Sequence, residues 1–149
     1  MRVKEFDIQF RQVTPRRIRD KDTFYLNHQV ALPMGLKSPR VFILGGTHNL
    51  CQAFNFNAEY IVDANLCEGH QLVERAPMLV PKFSFGCTAI NEFVYTIGGQ
   101  WSSNKYLDSC EVYDSIKDEW RSLTPLPIAR SMSCINVSQN SKRIYCIGG

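Results

Sequence analysis

Three segments of the sequence decide the fold: Val41-Phe42-Ile43-Leu44-Gly45-Gly46, Val94-Tyr95-Thr96-Ile97-Gly98-Gly99 and Ile144-Tyr145-Cys146-Ile147-Gly148-Gly149. Each segment reads β-branched, aromatic, variable, aliphatic, Gly, Gly. The first glycines stand at 45, 98 and 148, so they are 53 and 50 residues apart. One Gly-Gly pair carries little information, but the same six-residue pattern three times near one period indicates repeated structural units.

The region around the second copy predicts what one unit contains. Asp114–Asp118 reads as a turn between two strands, because aspartate side chains can bond their own backbone two residues on. Pro125 and Pro127 exclude a central strand, and Asn91-Glu92 predicts a tight hairpin turn. Short strands at turn-separated intervals indicate an all-β protein of four-stranded antiparallel sheets. They are predicted at about 41–45, 86–91, 93–97, 109–113, 119–123, 132–137 and 143–147.

The first unit departs from this pattern. Cys51–Phe56 is interpreted as its third strand, and residues 72–75 take the place of the fourth, with no tryptophan. Ala76-Pro77-Met78 corresponds to Leu126-Pro127 of the next unit, and Lys82 stands near where Arg130 stands. This unit is therefore interpreted as a degenerate one.

The repeat resembles that of the kelch family, in which a Gly-Gly pair is followed by a tyrosine and then a tryptophan with six residues between them. Here those positions are Gly98-Gly99, Tyr113 and Trp120. The resemblance covers roughly residues 41–149 and implies blades of a β-propeller. Glycine permits positive φ and close backbone approach, while the aromatic residues are expected to fill the seam between blades. The residues with structural roles in the repeat are Gly45, Gly46, Gly98, Gly99, Tyr113, Trp120, Arg130, Gly148 and Gly149.

The resemblance divides the chain into a basic lead-in segment, 1–23, and kelch repeats, 24–149. The repeats comprise a degenerate blade at about 24–80, a clear blade at about 82–127 and the start of a third at 130–149. Propellers close with about 4–8 blades, so the propeller is incomplete. The chain is interpreted as a fragment of a longer propeller, and self-association is the alternative if it is complete.

Composition and charge exclude several classes of protein. Residues 1–22 hold seven Lys/Arg and four Asp/Glu, whereas 23–149 hold ten of each, so the blades offer no basic surface for nucleic acid. No apolar run is long enough to span a bilayer, and the charged start is unlike a secretory signal. The chain is therefore expected to be cytoplasmic, with its six cysteines reduced.

The sequence predicts no catalytic residue, metal site or cofactor. His28, His48 and His70 share no metal-ligand spacing, and Cys67 with His70 makes only one candidate pair. No phosphate-binding loop or nucleophile motif occurs. The neighbouring carboxylates Asp118-Glu119 are interpreted as solvated.

Binding is therefore the predicted activity, through the loops that follow the Gly-Gly pairs, Thr47–Leu50 and Gln100–Asp108. Trp101, Lys105 and Tyr106 in the second loop are candidates for contact with a protein partner; equally, the two aromatic rings could fold back onto their own blade. The resemblance implies a noncatalytic scaffold used in substrate recruitment or cytoskeletal association. The alternatives are part of a propeller enzyme whose site residues lie outside this chain, and a gene fragment without independent function.

Overall fold

The computed structural model describes residues 29–31, 40–48, 52–53, 55, 57–62, 70–138 and 143–149. These residues form fourteen β-strands and contain no helix. The all-β prediction is confirmed. The strands, in chain order, are β1 Gln29–Ala31, β2 Val41–Leu44, β3 Thr47–His48, β4 Gln52–Ala53, β5 Asn57–Val62, β6 His70–Glu74, β7 Gly86–Ile90, β8 Phe93–Ile97, β9 Gln100–Ser102, β10 Lys105–Tyr106, β11 Cys110–Asp114, β12 Glu119–Leu123, β13 Cys134–Ser138 and β14 Arg143–Ile147.

Two four-stranded antiparallel sheets share one topology. The first has the order β1-β2-β5-β6 and the second has the order β7-β8-β11-β12. A third sheet contains β13 and β14, and two short ribbons, β3-β4 and β9-β10, follow the Gly-Gly pairs. Strand β7 lies beside both β1 and β13, so the first strands of successive sheets are neighbours. This is the arrangement of consecutive propeller blades, and the described residues do not close a ring.

The second sheet follows from its sequence pattern. In β8, Val94 and Thr96 are fully buried while Phe93 and Tyr95 are half-buried, as expected for side chains that alternate between two faces. All five residues of β11 are buried, because this strand is interior to the sheet and covered on both faces. In β12 only Trp120 is buried. The outer strand β12 is therefore the solvated edge of a sheet whose interior strand β11 is fully covered.

The predicted turns of this sheet are confirmed. Asn91 and Glu92 form a two-residue hairpin turn, and Ile90 pairs with Phe93 across it. Asn91 has a φ of 53°, a conformation that asparagine tolerates better than most residues. The matching connection in the third sheet, from Ser138 to Lys142, is longer and predicts a looser turn, but residues 139–142 lie outside the described part of the chain.

The third strand of the first sheet was assigned wrongly from the sequence. It is Asn57–Val62, and not Cys51–Phe56. Gln52–Ala53 instead pairs with Thr47–His48 in the first ribbon. The misassignment arose because Cys51–Phe56 and Asn57–Val62 are adjacent and both mix apolar with polar residues, so periodicity alone could not separate them.

The core lies between the first and second sheets. Strand β2 of the first sheet and the segment after β6 pack against the aromatic residues of β11 and β12. Its buried members are Phe42, Leu44, Met78, Phe85, Val94, Tyr113 and Trp120. The large apolar residues of the repeat therefore fill the seam between the two sheets.

Candidate functional site

The Gly-Gly pairs let the end of a central strand come close to the backbone segment that leads into the next sheet. Gly98 has a φ of 62°, and a Cβ atom there would lie 2.4 Å from the carbonyl oxygen of Arg130. The amide of Gly99 donates a hydrogen bond of 2.8 Å to that same carbonyl. The first unit repeats the arrangement, with Gly45 and Gly46 against the carbonyl of Lys82. Lys82 and Arg130 are therefore equivalent positions, and no larger residue fits at the first glycine of either pair.

Trp120 and Tyr113 join the second sheet to the first. Their rings lie 5.0 Å apart between centroids, and Tyr113 also packs edge-on against Phe42 of β2. The indole Nε1 of Trp120 donates a hydrogen bond of 2.8 Å to the carbonyl oxygen of Ala76. The two residues therefore combine buried apolar area with a polar contact that crosses the seam.

Asp118 contributes a contact that the sequence did not predict. Its Oδ1 accepts hydrogen bonds from the Tyr113 hydroxyl, at 2.6 Å, and from the backbone amide of Ala76, at 2.9 Å. Asp118 is exposed, as predicted for a solvated carboxylate, but it also accepts these two hydrogen bonds. The side chains of Asp118 and Trp120 thus accept from the amide of Ala76 and donate to its carbonyl, respectively. They link the two sheets at a point where no strand pairs with Ala76.

The pKa values of this pair shift in opposite directions. Burial raises the pKa of Tyr113, and its hydrogen bond to Asp118 raises it further. Burial alone would raise the pKa of Asp118, but the hydrogen bonds from Tyr113 and Ala76 outweigh it, so the pKa is lowered. The carboxylate is therefore ionised, and the phenol protonated, at neutral pH.

The turn that places Asp118 is formed by Asp114. Its Oδ1 accepts hydrogen bonds from the backbone amides of Ile116 and Lys117, at 3.0 and 3.1 Å. The turn predicted from side-chain bonding at this aspartate is confirmed. It positions Asp118, with a φ of 57°, against the neighbouring sheet.

Two arginines hold a buried glutamate on the first sheet. Arg40 makes a two-pronged contact with Glu59, with N–O distances of 2.5 and 2.6 Å, and Arg75 contacts the same carboxylate at 2.6 Å. Hydrogen bonds from Arg40 hold the pKa of Glu59 below its usual range, against burial, which would raise it. Arg40 also donates to the carbonyl of Ser115 in the second sheet. The sequence signal was a lone charge, Glu59, inside an apolar strand.

Lys82 and Arg130, equivalent in backbone position, have different side-chain partners. Lys82 is fully buried, and its Nζ lies 3.6 Å from Oε2 of buried Glu111. Burial lowers the pKa of Lys82 and raises that of Glu111, while their mutual attraction opposes both shifts. Arg130 instead donates a hydrogen bond of 2.7 Å to the carbonyl oxygen of Gly148. The partner of Arg130 is thus a backbone carbonyl, whereas the partner of Lys82 is a carboxylate.

The candidate partner-binding residues lie on a ribbon and not on an irregular loop. Trp101 on β9 is 46% exposed and Tyr106 on β10 is 54% exposed. Lys105 Nζ lies 4.3 Å from the centroid of the Trp101 ring, within cation–π range. A register irregularity separates Lys105 from Tyr106. Neither aromatic ring is buried against its own sheet.

The base of this ribbon is held by backbone hydrogen bonds. Phe83 and Gln100 exchange two of them, at 2.9 and 3.0 Å, and Gln100 is buried. On the return side, the Leu107 amide donates to the carbonyl of Gly99. The first ribbon, β3-β4, lies beside it, since β4 neighbours β9. The exposed aromatic residues are therefore presented on a fixed support.

The described residues include few of the groups that metal or thiol chemistry would use. Nowhere among them do three His, Cys, Asp or Glu side chains converge as a metal site. None of the four cysteines described, at 87, 110, 134 and 146, is in a disulfide, and burial raises the pKa of Cys87 to about 11, which disfavours the reactive thiolate. Within the same residues no helix is long and apolar enough to span a membrane. Cys67 lies outside them.

Comparison with known proteins places this geometry in a family. The kelch motif model matches residues 81–127. Kelch-like protein 38 of Rattus norvegicus is 36% identical over 49% of this chain and 12% of its own length. Kelch-like protein 25 of Homo sapiens is 31% identical over 73% of this chain and 17% of its own length. Alpha-scruin of Limulus polyphemus is 27% identical over 88% of this chain and 14% of its own length. The chain thus spans less than a fifth of these relatives.

Among solved structures, a fungal alcohol oxidase of the AA5 family, in complex with copper, aligns with a TM-score of 0.68. It covers 80% of this chain and 26% of the oxidase at 12% identity, so this likeness concerns the fold alone. The motif match agrees with two features of the structure, which are the close backbone approach at the Gly-Gly pairs and the contact of Tyr113 with Trp120. The chain belongs to the kelch-repeat family.

Proposed function

We propose that this chain is a noncatalytic protein-interaction module, a scaffold of kelch units at about 24–80, 82–127 and 130–149, acting in the cytoplasm. The observation that supports it is the ribbon β9-β10, where Trp101 and Tyr106 are half exposed above a hydrogen-bonded base. Large aromatic side chains that are already positioned lose little conformational entropy on binding, which is why they dominate protein interfaces.

Two features of the ribbon suit a protein partner. Lys105 covers part of the Trp101 ring, so the pair presents a cation and an apolar surface together. The irregularity before Tyr106 turns this side chain relative to its neighbours, as bulges commonly do near binding sites. The uses that the family resemblance implies are substrate recruitment or cytoskeletal association, and both rest on such a face.

Site-specific photocrosslinking tests the proposal. A photoreactive phenylalanine analogue replaces Trp101 in one sample and Ile116 in another. Ile116 is 67% exposed and lies in the turn after β11, at the opposite end of the sheet from the ribbon. We expect a discrete crosslinked partner band from position 101 in cells and none from position 116. Identical patterns from both positions would contradict the proposal.

A further inference from the structure

A row of polar side chains lies in the seam beside its aromatic core. Thr96 of β8 and Glu111 of β11 are directly opposite each other in the register of the second sheet, so their side chains are neighbours on one face. Val94 and Tyr113, two residues from them on the same strands, belong to the core between the sheets. Side chains two residues apart share a face. Thr96 and Glu111 therefore also point into the seam, where they are 0% and 1% exposed.

These two side chains are buried without hydrogen bonds of their own. Among the described residues, no partner is found for Thr96 Oγ1 or for either carboxylate oxygen of Glu111. Burial raises the pKa of Glu111, against the attraction of Lys82 and the nearby amides of Val80 and Leu79. Those amides are close, but neither donates a well-aligned hydrogen bond to the carboxylate. Buried polar groups in native proteins nearly always have a partner, which is either protein or ordered water.

Lys82 lies against this row at a distance that leaves its own donors incompletely used. Its Nζ is 3.6 Å from Oε2 of Glu111, beyond hydrogen-bond length, and 3.4 Å from Oγ of Ser109, where a hydrogen bond is long. The ammonium group has three donors, and the side chain is fully buried. Polar groups held at such distances are commonly bridged by a water molecule. The cluster therefore combines spare donors on Lys82 with spare acceptors on Glu111.

The type of cation accounts for the incomplete contact with Glu111. Lys82 occupies the position that Arg130 occupies in the next unit, since the carbonyl of each meets a Gly-Gly pair. A guanidinium can meet both oxygens of a carboxylate with two parallel N–H groups, whereas an ammonium is one compact charge. Lysine is also smaller than arginine, by roughly the volume of one water molecule. The lysine side chain therefore leaves part of the carboxylate uncovered.

We propose that Lys82, Thr96 and Glu111 bind one buried water molecule in the seam. The water accepts a hydrogen bond from Lys82 Nζ and donates to Thr96 Oγ1 and to the Glu111 carboxylate. Three polar partners are the usual number for a buried water. Phe83, next to Lys82, pairs with Gln100 at the base of the ribbon. The bound water therefore helps to fix the junction from which the ribbon extends.

Thr96→Val tests the site in solution, because valine keeps the shape of threonine and removes its hydroxyl. We expect the midpoint of urea unfolding of the full chain to fall by about 0.5 M, since the water loses one of its partners. Thr88→Val, at a half-buried position on the other face of the same sheet, is the matched control. It should change the midpoint by less than about 0.2 M.

An unchanged or raised midpoint for Thr96→Val would overturn the proposal. A buried hydroxyl without any partner is destabilising, so its removal would stabilise the protein. The sign of the shift therefore separates a hydroxyl that binds water from one that binds nothing.

High-resolution crystal structures of the full chain and of Lys82→Arg test the water directly. In the parent chain we expect a density peak about 2.7–3.2 Å from Lys82 Nζ, Thr96 Oγ1 and the nearer carboxylate oxygen of Glu111. In Lys82→Arg the guanidinium should take the place of the water and bind the carboxylate with two N–H groups. The parent structure decides the question by itself if this variant does not fold.

Three crystallographic results would contradict the proposal. The first is a parent structure without a density peak at this place. The second is a peak about 2.0–2.6 Å from Glu111, which would identify a metal cation. The third is a peak that persists in Lys82→Arg, because the water would then not occupy the space that the smaller lysine leaves. Each result concerns the seam, so the proposed interaction function keeps its own test.

Discussion

Replacing Trp120 with alanine should destabilise the protein by about 4 kcal/mol. The side chain is 8% exposed, and truncation of a buried aromatic residue typically costs roughly 3–5 kcal/mol through lost burial and the cavity left behind. Loss of its hydrogen bond to the carbonyl of Ala76 adds little, because Asn57 Nδ2 donates to the same oxygen at 2.9 Å. The expected loss in the free energy of unfolding therefore stays within the range of roughly 3–5 kcal/mol that lost packing alone predicts.

Equilibrium urea unfolding followed by circular dichroism measures this cost. Trp120→Phe keeps most of the ring and should lose only about 1–2 kcal/mol, which gives a value even if the alanine variant does not fold. Trp101→Ala is the matched control, and its half-exposed ring predicts a change within about 0.5 kcal/mol. If Trp101→Ala is the costly substitution and Trp120→Ala is neutral, the assignment of seam and surface is wrong.

The remaining predictions address the other contacts of the seam. Glu59→Gln leaves Arg40 and Arg75 without their carboxylate and should lower the free energy of unfolding by about 2–4 kcal/mol, as measured in urea. The control Glu74→Gln, at an exposed position of β6, should cost less than about 0.5 kcal/mol. Equal costs would contradict a stabilising role for the ion pairs of Glu59. Gly98→Ala places a Cβ atom 2.4 Å from a carbonyl oxygen and should lower the free energy of unfolding by more than about 3 kcal/mol. Gly148→Ala, where no atom lies within 4 Å of the new Cβ, should cost only about 1 kcal/mol. The reverse order would contradict the close backbone approach at Gly98. Because the pKa of Asp118 is lowered in the fold, its contribution is complete above the unfolded pKa of about 4 and is lost as pH falls through the folded pKa. The Asp118→Asn variant should therefore show a shallower decline of the urea midpoint below about pH 5 than the parent, and parallel declines would argue against an ionised contact. Thiol titration of denatured, unreduced protein should find all six cysteines free, and four would indicate a disulfide.

The repeat made the second sheet predictable. Its Gly-Gly pair, tyrosine and tryptophan stand at fixed spacings, and each has a requirement of its own: positive φ at Gly98, and buried area between sheets at Tyr113 and Trp120. The turn at Asn91-Glu92 followed from short apolar runs on either side. These features depend on local sequence, so they could be predicted without knowing the neighbours.

What could not be predicted depends on contacts between distant residues. Arg40 and Glu59 are separated by 19 residues and Asp118 and Ala76 by 42, so nothing in either local pattern shows the pairing. Asp118 is exposed as predicted, but its hydrogen bond to the distant Ala76 has no signal in the local sequence. The third strand of the first sheet was misplaced because the ribbon that precedes it also mixes apolar and polar residues, so the local pattern does not separate the two.

The ribbon is the feature on which sequence reasoning stayed undecided. An aromatic residue after a Gly-Gly pair is compatible with a solvent-exposed or a folded-back ring, and the two differ only by side-chain direction. The structure leaves Trp101 and Tyr106 about half exposed, with Lys105 against the Trp101 ring. This exposure depends on how β9 pairs with β10, and the residue types alone do not predict that pairing.

The central claim is that the seam holds the scaffold together while the ribbon makes the contact with a partner. Its most direct test is quantitative comparison of the proteins that copurify with the parent chain, with a Trp101→Ala and Tyr106→Ala double variant, and with Ile116→Ala. The account predicts that the double variant loses a copurifying partner at least tenfold while its free energy of unfolding stays within about 1 kcal/mol of the parent, and that Ile116→Ala changes neither. An unchanged set of partners in a folded double variant would contradict the claim.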